Sequence, residues 1–293
     1  MSNCSLKLLI TGGKGQLASA LGHHPFASQH VLIPCSSQTL DITNPASIDQ
    51  AITQFKPDVI INTAAYTAVD QAELEPELAR RINAEGAKHL AMACQKNQIP
   101  LIHLSTDYIF DGTQQTPYLE EDLPHPINQY GKSKWEGEEA IRTHCENHLI
   151  LRVSGIFSEF GNNFLKTMLR LAKEKKEWQV VTDQISCPTY AGDIAGVIFS
   201  LLDNPCLGTF HYCSANPVSW HQFATAIIEH GREYFPLMVE KILPITSAAY
   251  QSPAKRPAHS VLDCTKLFLQ AGTVQPSWEN GIAQALKGIE CDG

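Results

Sequence analysis

Short runs of β-branched residues and leucine alternate with longer segments of helical periodicity through the first 153 residues, and this alternation constrains the fold most. Apolar runs bounded by glycine, proline or polar residues predict strands at 6–11, 30–34, 58–62, 100–105 and 149–153. Apolar residues three or four positions apart predict helices at 16–21, 47–55, 77–96 and 130–143. Strands that alternate with helices pair in parallel through right-handed crossovers. The pattern therefore predicts an α/β fold with a doubly wound parallel sheet of the Rossmann type.

The regular alternation ends after Val153. We expect helices at 163–173, 193–202 and 219–230, strands near 180–181 and 210–212, and a loop-rich segment at 244–260. Residues 1–155 are expected to form the Rossmann domain. Residues 156–293 are expected to form a smaller C-terminal α+β lobe over the carboxyl edge of the sheet, with chain crossings back to the first domain.

Composition limits the kinds of partner. The chain has 22 lysine and arginine residues against 30 aspartate and glutamate residues, a net charge of −8, which argues against a nucleic acid or an anionic membrane as partner. No apolar run approaches the roughly 18 residues of a membrane span, and the run before Thr11 is too short for a signal peptide. The nine cysteines include no C-x-x-C pair and the twelve histidines no H-E-x-x-H motif. We therefore expect a cytoplasmic protein with reduced thiols and no metal site.

A glycine-rich segment lies between the first predicted strand and the first predicted helix. Gly12 and Gly15 with Ala18 fit the G-x-x-G-x-x-[GA] spacing of dinucleotide-binding folds. The first glycine permits the tight turn, the second lets the backbone approach a pyrophosphate, and the small third residue lets the helix pack on the sheet. The helix N-terminus adds free N–H groups and a partial positive charge. A tight turn that binds nothing is the alternative, but the position after an N-terminal strand favours a dinucleotide.

The end of the second predicted strand bears on the choice of nicotinamide cofactor. An acidic residue that binds the adenosine ribose is expected about 20 residues after the glycines, where this chain has Ser36 and Ser37. Without a carboxylate, a 2′-phosphate meets no repulsion, and two hydroxyls can donate to it. This favours NADPH, with NADH as the alternative, although no arginine marks the site.

Tyr130 and Lys134 are four residues apart and therefore lie on one face of the fourth predicted helix. Thr106 lies at the carboxyl end of the fourth predicted strand, the edge at which open α/β sheets bind ligands. A carbonyl reduction needs a proton donor for the developing alkoxide as well as a hydride. A phenol has an ordinary pKa near 10, and an ammonium about 5 Å away would lower that pKa by about two units. Y-x-x-x-K is common on solvated helices, but together with the glycine-rich segment and Thr106 it favours a reductase.

These segments resemble the extended short-chain dehydrogenases/reductases and, within them, the dTDP-4-dehydrorhamnose reductase family. The resemblance runs nearly end to end, and it rests on the segments 8–12, 15–17, 40–43, 57–70, 105–112, 130–134, 161–164, 183–184, 188–189, 256–257 and 260. It implies that the 4-keto group of dTDP-4-dehydro-L-rhamnose is reduced to give dTDP-L-rhamnose by hydride transfer from NADPH. It also implies a nucleotide-sugar substrate for the smaller lobe and a homodimer.

The resemblance assigns roles to individual residues. Thr106, Tyr130 and Lys134 match the family's catalytic triad, with Tyr130 as the proton donor. The cofactor contacts that it implies, besides Tyr130 and Lys134, are Gly12, Gly15, Gln16, Leu17, Asp41, Ile42, Ala64, Ala65, Tyr66 and Thr67. The substrate contacts that it implies are Thr106, Asp107, Gly155, Asn163 and Arg256. Asn163 and Arg256 would serve the diphosphate, a task that suits the two-pronged guanidinium of arginine.

Two positions depart from the family pattern. Gly155 follows Arg152-Val153-Ser154 where the family usually has a tryptophan that contacts the substrate, so the pocket loses a large flat surface. Ala20 occupies one of the places of the family's acidic residues for a magnesium ion at an interface, and we expect no magnesium requirement. The identity of the sugar nucleotide therefore stays open.

Two other functions share this scaffold. Dehydratases follow the strand-end Thr-Asp pair with a glutamate, and both dehydratases and epimerases usually carry the acidic ribose partner. This chain has Tyr108 after Asp107 and lacks that partner, so a reductase is favoured over an epimerase or dehydratase of another nucleotide sugar. A non-catalytic, dinucleotide-binding regulatory subunit is the second alternative, and the complete set of Thr106, Tyr130 and Lys134 argues against it.

Overall fold

A six-stranded parallel sheet forms the centre of the molecule in the computed structural model, which describes residues 5–272 and 275–291. Its strands are β1 Lys7–Thr11, β2 Val31–Cys35, β3 Val59–Asn62, β4 Leu101–Thr106, β5 His148–Val153 and β6 Gly208–Tyr212. Their spatial order is β2-β1-β3-β4-β5-β6, and every neighbouring pair is parallel. The predicted α/β class and doubly wound sheet are confirmed. The order reverses between β1 and β3, and ligands of open α/β sheets bind at such a point.

Helices cover both faces of the sheet. The helices are α1 Gln16–His23, α2 Pro45–Phe55, α3 Val69–Leu74, α4 Pro76–Arg80, α5 Gly86–Asn97, α6 Gln129–His144, α7 Phe164–Glu174, α8 Ala191–Asp203, α9 Trp220–Gly231, α10 Ser247–Tyr250, α11 Thr265–Ala271 and α12 Trp278–Cys291. Successive strand residues point to opposite faces. Leu8 therefore packs with α1 and α8 on one face, while Leu9 packs with α2, α5 and α6 on the other. With apolar cores on both sides, β3 and β4 are buried along their whole length.

The remaining strands are short and occur in pairs in the smaller lobe. The pairs are Ile156–Phe157 with Thr189–Tyr190, Glu177–Val181 with Lys241–Ile245, and Ile185–Ser186 with Val218–Ser219. Aromatic and aliphatic residues of α7, α9 and α12 form the core of this lobe. Three elements beyond residue 155, α8, β6 and α11, pack in the layers of the large sheet. The simple division into 1–155 and 156–293 stays a prediction.

Two segments differ from the sequence-based expectations. The predicted helix at 77–96 is α4 and α5 joined by a π-helical turn at Arg81–Glu85. In this turn the Asn83 side chain bonds both backbone groups of Tyr66 and donates to Ser133 Oγ, which ties the turn to α6. The expected loop at 244–260 contains the end of the strand Lys241–Ile245 and helix α10.

Across the described ranges 5–272 and 275–291, no helix combines the length and the apolar character needed to cross a membrane. The same residues hold no group of three or more histidine, cysteine, aspartate or glutamate side chains placed to bind a metal ion. The homodimer, the cytoplasmic location and the lack of a nucleic-acid partner stay predictions.

A buried ion pair fastens α6 to the sheet. The Arg152 guanidinium on β5 donates to both carboxylate oxygens of Glu138 on α6, with Nη2 at 2.8 Å from Oε2. Both side chains are at most 2% exposed. Arg142, which is 29% exposed, donates to the same carboxylate from the next helical turn. Losing one partner of such a pair costs more than the pair itself contributes, because it leaves a buried charge without compensation.

We therefore expect Arg152→Met to lower the free energy of unfolding by about 3–5 kcal/mol. Arg142→Met removes a partly exposed partner of the same carboxylate and is expected to cost about 1 kcal/mol or less. Urea unfolding followed by circular dichroism measures both values. Equal losses in the two variants would show that the buried pair has no special role.

Candidate active site

A cavity of about 540 Å³ opens at the carboxyl edge of the sheet, next to the point where the strand order reverses. It is lined by nine of the residues expected to contact the cofactor: Gly12, Gly15, Gln16, Leu17, Asp41, Ile42, Ala64, Ala65 and Thr67. The structure thus brings together residues that are up to 55 positions apart in the sequence. We call this space the first cavity.

The glycine-rich segment forms one end of the first cavity. Gly12 has a φ of +67°, and a Cβ atom there would lie 2.8 Å from the Ala64 backbone nitrogen, closer than real Cβ atoms approach. Helix α1 starts directly after Gly15, which offers no side chain to cap it. The first N–H groups of α1 are therefore left for an anion at the cavity.

Polar side chains also line the first cavity. Ser36 and Ser37 line it as the sequence suggested, and so does the exposed Lys14, which sequence reasoning passed over although it stands between the two glycines. The carboxylate of Asp41 accepts from the Thr43 backbone N–H and hydroxyl. The lining of the first cavity therefore combines these two hydroxyls and one cation with the Asp41 carboxylate.

Tyr66 departs from its expected place. It is not among the described residues that line either cavity, and its hydroxyl donates to Glu75 over 2.7 Å. Its backbone groups are held by Asn83. The Tyr66 hydroxyl is thus bonded to Glu75, while the two neighbouring residues, Ala65 and Thr67, line the first cavity.

A second cavity of about 510 Å³ adjoins the first, and Gln16, Thr67, Ile156 and Asn162 line both. It is lined by the expected substrate residues together with the expected proton donor: Thr106, Asp107, Tyr130, Gly155, Asn163 and Arg256. The carboxyl ends of β4 and β5 and the first turn of α6 form its base. The two cavities therefore share one boundary.

Tyr130 and Thr106 meet in the second cavity. Their side chains share a hydrogen bond, which lowers the pKa of Tyr130, but burial has the larger effect and raises that pKa to about 12. The Asp107 charge raises it further. The expectation that Lys134 lowers the pKa of this phenol is therefore wrong in this structure, and Tyr130 keeps its proton at neutral pH.

Lys134 is held below the second cavity rather than in it. The side chain is 2% exposed, and its Nζ donates to the Leu104 carbonyl oxygen over 2.6 Å and lies 3.4 Å from His103 Nε2. Burial lowers the pKa of Lys134 to about 8, while the charge of Glu138 opposes this change. The backbone of β4 thus takes the ammonium contact that sequence reasoning gave to Tyr130.

Asp107 is a buried carboxyl held by three hydroxyls. Ser260 and Ser154 donate to its Oδ2 over 2.6 and 2.9 Å, and Thr106 donates to its Oδ1 over 3.2 Å. Burial outweighs these bonds and raises the pKa of Asp107 to about 6. Ser154 and Ser260 are 47 and 153 positions from Asp107 in the sequence, so Asp107 joins distant segments of the chain beside the second cavity.

Arg256 reaches the second cavity already paired. Its guanidinium donates to both carboxylate oxygens of Asp70, over 2.8 and 3.0 Å, and it holds the pKa of that carboxyl below its ordinary value. It also bonds the hydroxyl of Tyr108, a lining residue whose pKa is raised by burial. Sequence reasoning missed the pairing with Asp70, because 186 positions separate the two residues.

Asn163 lines the second cavity, but its amide is used within the protein. Its Oδ1 caps α7 by accepting from the Lys166 N–H, and its Nδ2 donates to Gln16 Oε1 over 3.0 Å and to the Ser158 carbonyl. Asn163 therefore joins α7 to the glycine-rich segment.

Gly155 lines the second cavity with a φ of +52°, a conformation that side-chain-bearing residues rarely adopt. A Cβ atom there would lie 3.2 Å from Pro188 Cα and 3.5 Å from Cη2 of Trp220. The indole of Trp220, whose ring centroid lies 4.7 Å from that of Phe164 at a tilt of 48°, thus stands in the space that a side chain at 155 would enter. Sequence reasoning missed Trp220, since nothing in the spacing links residues 155 and 220.

Comparison with known proteins places this site in a family. The family model described as the RmlD substrate binding domain matches residues 6–291. The dTDP-4-dehydrorhamnose reductase of Aggregatibacter actinomycetemcomitans is 44% identical and that of Sinorhizobium fredii 38%, over 97–98% of this chain and 98–99% of each relative. A crystal structure of dTDP-4-dehydrorhamnose reductase from Bacillus anthracis in complex with NADP is similar, with a TM-score of 0.92 and 37% identity over 97% of this chain and 99% of that chain.

Gly131 controls how closely α6 approaches the active-site turn at Asp107–Ile109. A Cβ atom at residue 131 would overlap the Tyr108 carbonyl oxygen. We expect Gly131→Ala to lower the free energy of unfolding by about 1–3 kcal/mol, because the start of α6 must move away. Gly22→Ala in α1 is the matched control, since the added methyl meets no atom within 4 Å apart from its chain neighbours and the backbone of its own helix. It is expected to stabilise the protein by up to about 1 kcal/mol.

Chemical denaturation of both variants tests this prediction. An unchanged free energy of unfolding in Gly131→Ala would mean that the start of α6 can move away without loss of stability.

Proposed function

Because this chain belongs to the dTDP-4-dehydrorhamnose reductase family, we propose that it reduces the 4-keto group of dTDP-4-dehydro-L-rhamnose to give dTDP-L-rhamnose, with NADPH as the reductant. One observation carries the proposal: Tyr130, hydrogen-bonded to Thr106, lies in a cavity that adjoins the cavity at the glycine-rich segment. An assay of NADPH oxidation with this substrate, with the product identified by NMR, tests it.

The first cavity fits a dinucleotide. Gly12 leaves bare backbone where a side chain would collide, and the uncapped start of α1 offers N–H groups to a pyrophosphate. Ser36, Ser37 and Lys14 would hold a 2′-phosphate, which supports NADPH over NADH. Bound there, NADPH supplies the hydride for carbonyl reduction. The NADP bound by the Bacillus anthracis relative supports the same choice.

Tyr130 would donate the proton. With its pKa raised to about 12 by burial, the phenol is fully protonated at neutral pH and ready to donate. An alkoxide is a stronger base than a phenolate, so the transfer from Tyr130 to the developing alkoxide remains favourable. Thr106 shares a hydrogen bond with Tyr130 and would hold the same substrate oxygen. Lys134, with a pKa of about 8, would then return a proton to the phenolate through an intervening hydroxyl or water, since its Nζ contacts Leu104 and His103.

The second cavity suits a nucleotide sugar. Arg256 would meet the diphosphate with its guanidinium, and its bond to Asp70 fixes the orientation of that group. Asp107 and Thr106 would bond sugar hydroxyls or the keto oxygen. Trp220 offers the flat apolar surface that a glycine at 155 cannot provide. Because this surface arrives from α9 instead of β5, reduction of another 4-keto nucleotide sugar is the second candidate.

We expect Tyr130→Phe to lower kcat by about 10²–10⁴-fold, because only the transferable proton is removed. The dissociation constant for NADPH should change by less than about threefold, since the ring remains in place. Stopped-flow kinetics and fluorescence titration measure the two quantities. Tyr234→Phe removes a hydroxyl from the smaller lobe outside both cavity linings and serves as the control. Turnover at the control rate in Tyr130→Phe would remove Tyr130 from the mechanism.

We expect Trp220→Leu to raise KM for the nucleotide sugar about tenfold, equivalent to the loss of one aromatic contact, while KM for NADPH stays unchanged. Initial rates over a panel of 4-keto sugar nucleotides measure both constants and identify the preferred sugar. Trp135→Leu on α6, outside both cavity linings, controls for the loss of an indole. An unchanged substrate KM in Trp220→Leu would show that this ring does not contact the sugar.

A further inference from the structure

A chain of buried polar side chains runs across the sheet from the glycine-rich segment to Lys134. Thr11 Oγ1 donates to Asn62 Oδ1 over 2.6 Å, and Asn62 Nδ2 lies 2.8 Å from His103 Nδ1. His103 Nε2 lies 3.4 Å from Lys134 Nζ. All four side chains are at most 2% exposed. Buried polar groups must be paired with the correct donor and acceptor, so the direction of each bond carries information.

The backbone fixes the direction of these bonds. The Ala64 N–H can only donate, and it lies 3.2 Å from the amide oxygen of Asn62. This oxygen also accepts from Thr11, so the amide NH₂ must face the imidazole. His103 Nδ1 must then accept. A neutral imidazole that accepts at Nδ1 carries its proton on Nε2. Burial, and after it the charge of Lys134, holds the pKa of His103 well below its ordinary value, so the ring is neutral.

The proton on Nε2 therefore points at the lysine nitrogen. A charged ammonium has only donors and meets this N–H as donor against donor, whereas a neutral amine can accept from it. Lys134 still donates to the Leu104 carbonyl in either form. A carboxylate in place of the imidazole N–H would instead favour the charged ammonium of Lys134.

The other charges near this pair do not reverse the preference. Glu138, one turn further along α6, favours the ammonium, but its carboxylate accepts from Arg152, Arg142 and Ser105. His148 on β5 and Arg142 on α6 act on His103, and both disfavour its charged form. Tyr130, one turn before Lys134, is neutral. The Leu104 carbonyl is the only further bond of Lys134 Nζ within the described part of the chain.

We propose that His103 is a positioning residue that makes Lys134 a ready proton donor, by presenting its Nε2–H to the lysine nitrogen in a tautomer that Asn62 fixes. The proposal rests on the proposed function for its catalytic meaning. When the O–H bond of Tyr130 breaks, its proton forms the new O–H bond of the substrate. The Lys134 ammonium, whose Nζ contacts Leu104 and His103, then protonates the phenolate through an intervening hydroxyl or water. The resulting amine accepts from His103 until solvent returns a proton to it.

The tautomer can be measured without any turnover. ¹⁵N NMR of protein labelled in histidine is expected to show the His103 resonances as a bare Nδ1 and a protonated Nε2, assigned by their loss in His103→Phe. Asn62→Asp replaces the donor with a carboxylate, so the proton should move to Nδ1. A proton on Nδ1 in the unaltered protein would overturn the proposal, even if the protein proved to reduce no nucleotide sugar.

The pH dependence of kcat tests the effect on Lys134. The ammonium is the active form, so kcat should fall as the pH rises through the pKa of Lys134, about 8. His103→Phe removes the imidazole N–H that faces the Lys134 ammonium. Asn62→Asp moves the His103 proton to Nδ1, so that the Nε2 lone pair faces Lys134. Both changes favour the ammonium and should move the alkaline midpoint upward by about one pH unit. Asn62→Asp adds a negative charge, whereas His103→Phe adds none. A shift of the midpoint in both variants therefore comes from the imidazole N–H and not from the new carboxylate alone.

His211→Phe is the matched control. His211 on β6 is another fully buried imidazole of the same sheet, bonded to Arg152 and to the Tyr118 carbonyl instead of Lys134. Its loss should lower the thermal stability and leave the alkaline midpoint unchanged. A lower kcat in His103→Phe and Asn62→Asp with the midpoint unmoved would show a merely structural role and refute the proposal.

Discussion

The ion pair between Glu138 and Arg152 joins α6 to the central sheet, and the geometry of the active site depends on this contact. Ser105, at the end of β4, donates to the same carboxylate, so the helix is fastened to two adjacent strands at once. Opposite charges that are withdrawn from water attract each other strongly, and the loss of either one leaves the other buried without compensation. Tyr130 begins this helix and Thr106 follows Ser105, so their relative position is set before any ligand arrives.

The fold and much of the site could be predicted because their signals are local. Glycine spacing, the i,i+4 pair Tyr130 and Lys134, and a threonine at a strand end are each readable within a few residues. The contacts that could not be predicted join distant segments, such as Arg256 with Asp70 and Trp220 beside Gly155. Side-chain direction was also out of reach: spacing places Lys134 on the correct helix face but does not show that its nitrogen meets Leu104 and His103.

Burial affects the two central ionisable groups in opposite directions. It raises the pKa of the phenol and lowers that of the ammonium, because both changes favour the neutral form in a medium of low polarity. The pKa values of Tyr130 and Lys134 thereby move apart, and the ammonium becomes the stronger acid of the two, without a direct charge contact between them. The simple picture of a phenol made acidic by its neighbour is replaced by one in which both groups respond to the same surroundings.

The shared lining of the two cavities sets a rule for redesign. Gln16, Thr67, Ile156 and Asn162 line both cavities, so a substitution at any of them alters both cavities together. Lys14, Ser36 and Ser37 face only the first cavity, and Trp220 and Arg256 only the second of these two. Substitutions intended to change the preference for the reductant or for the sugar alone should therefore begin at residues that line only one of the two cavities. The four residues that line both should be kept.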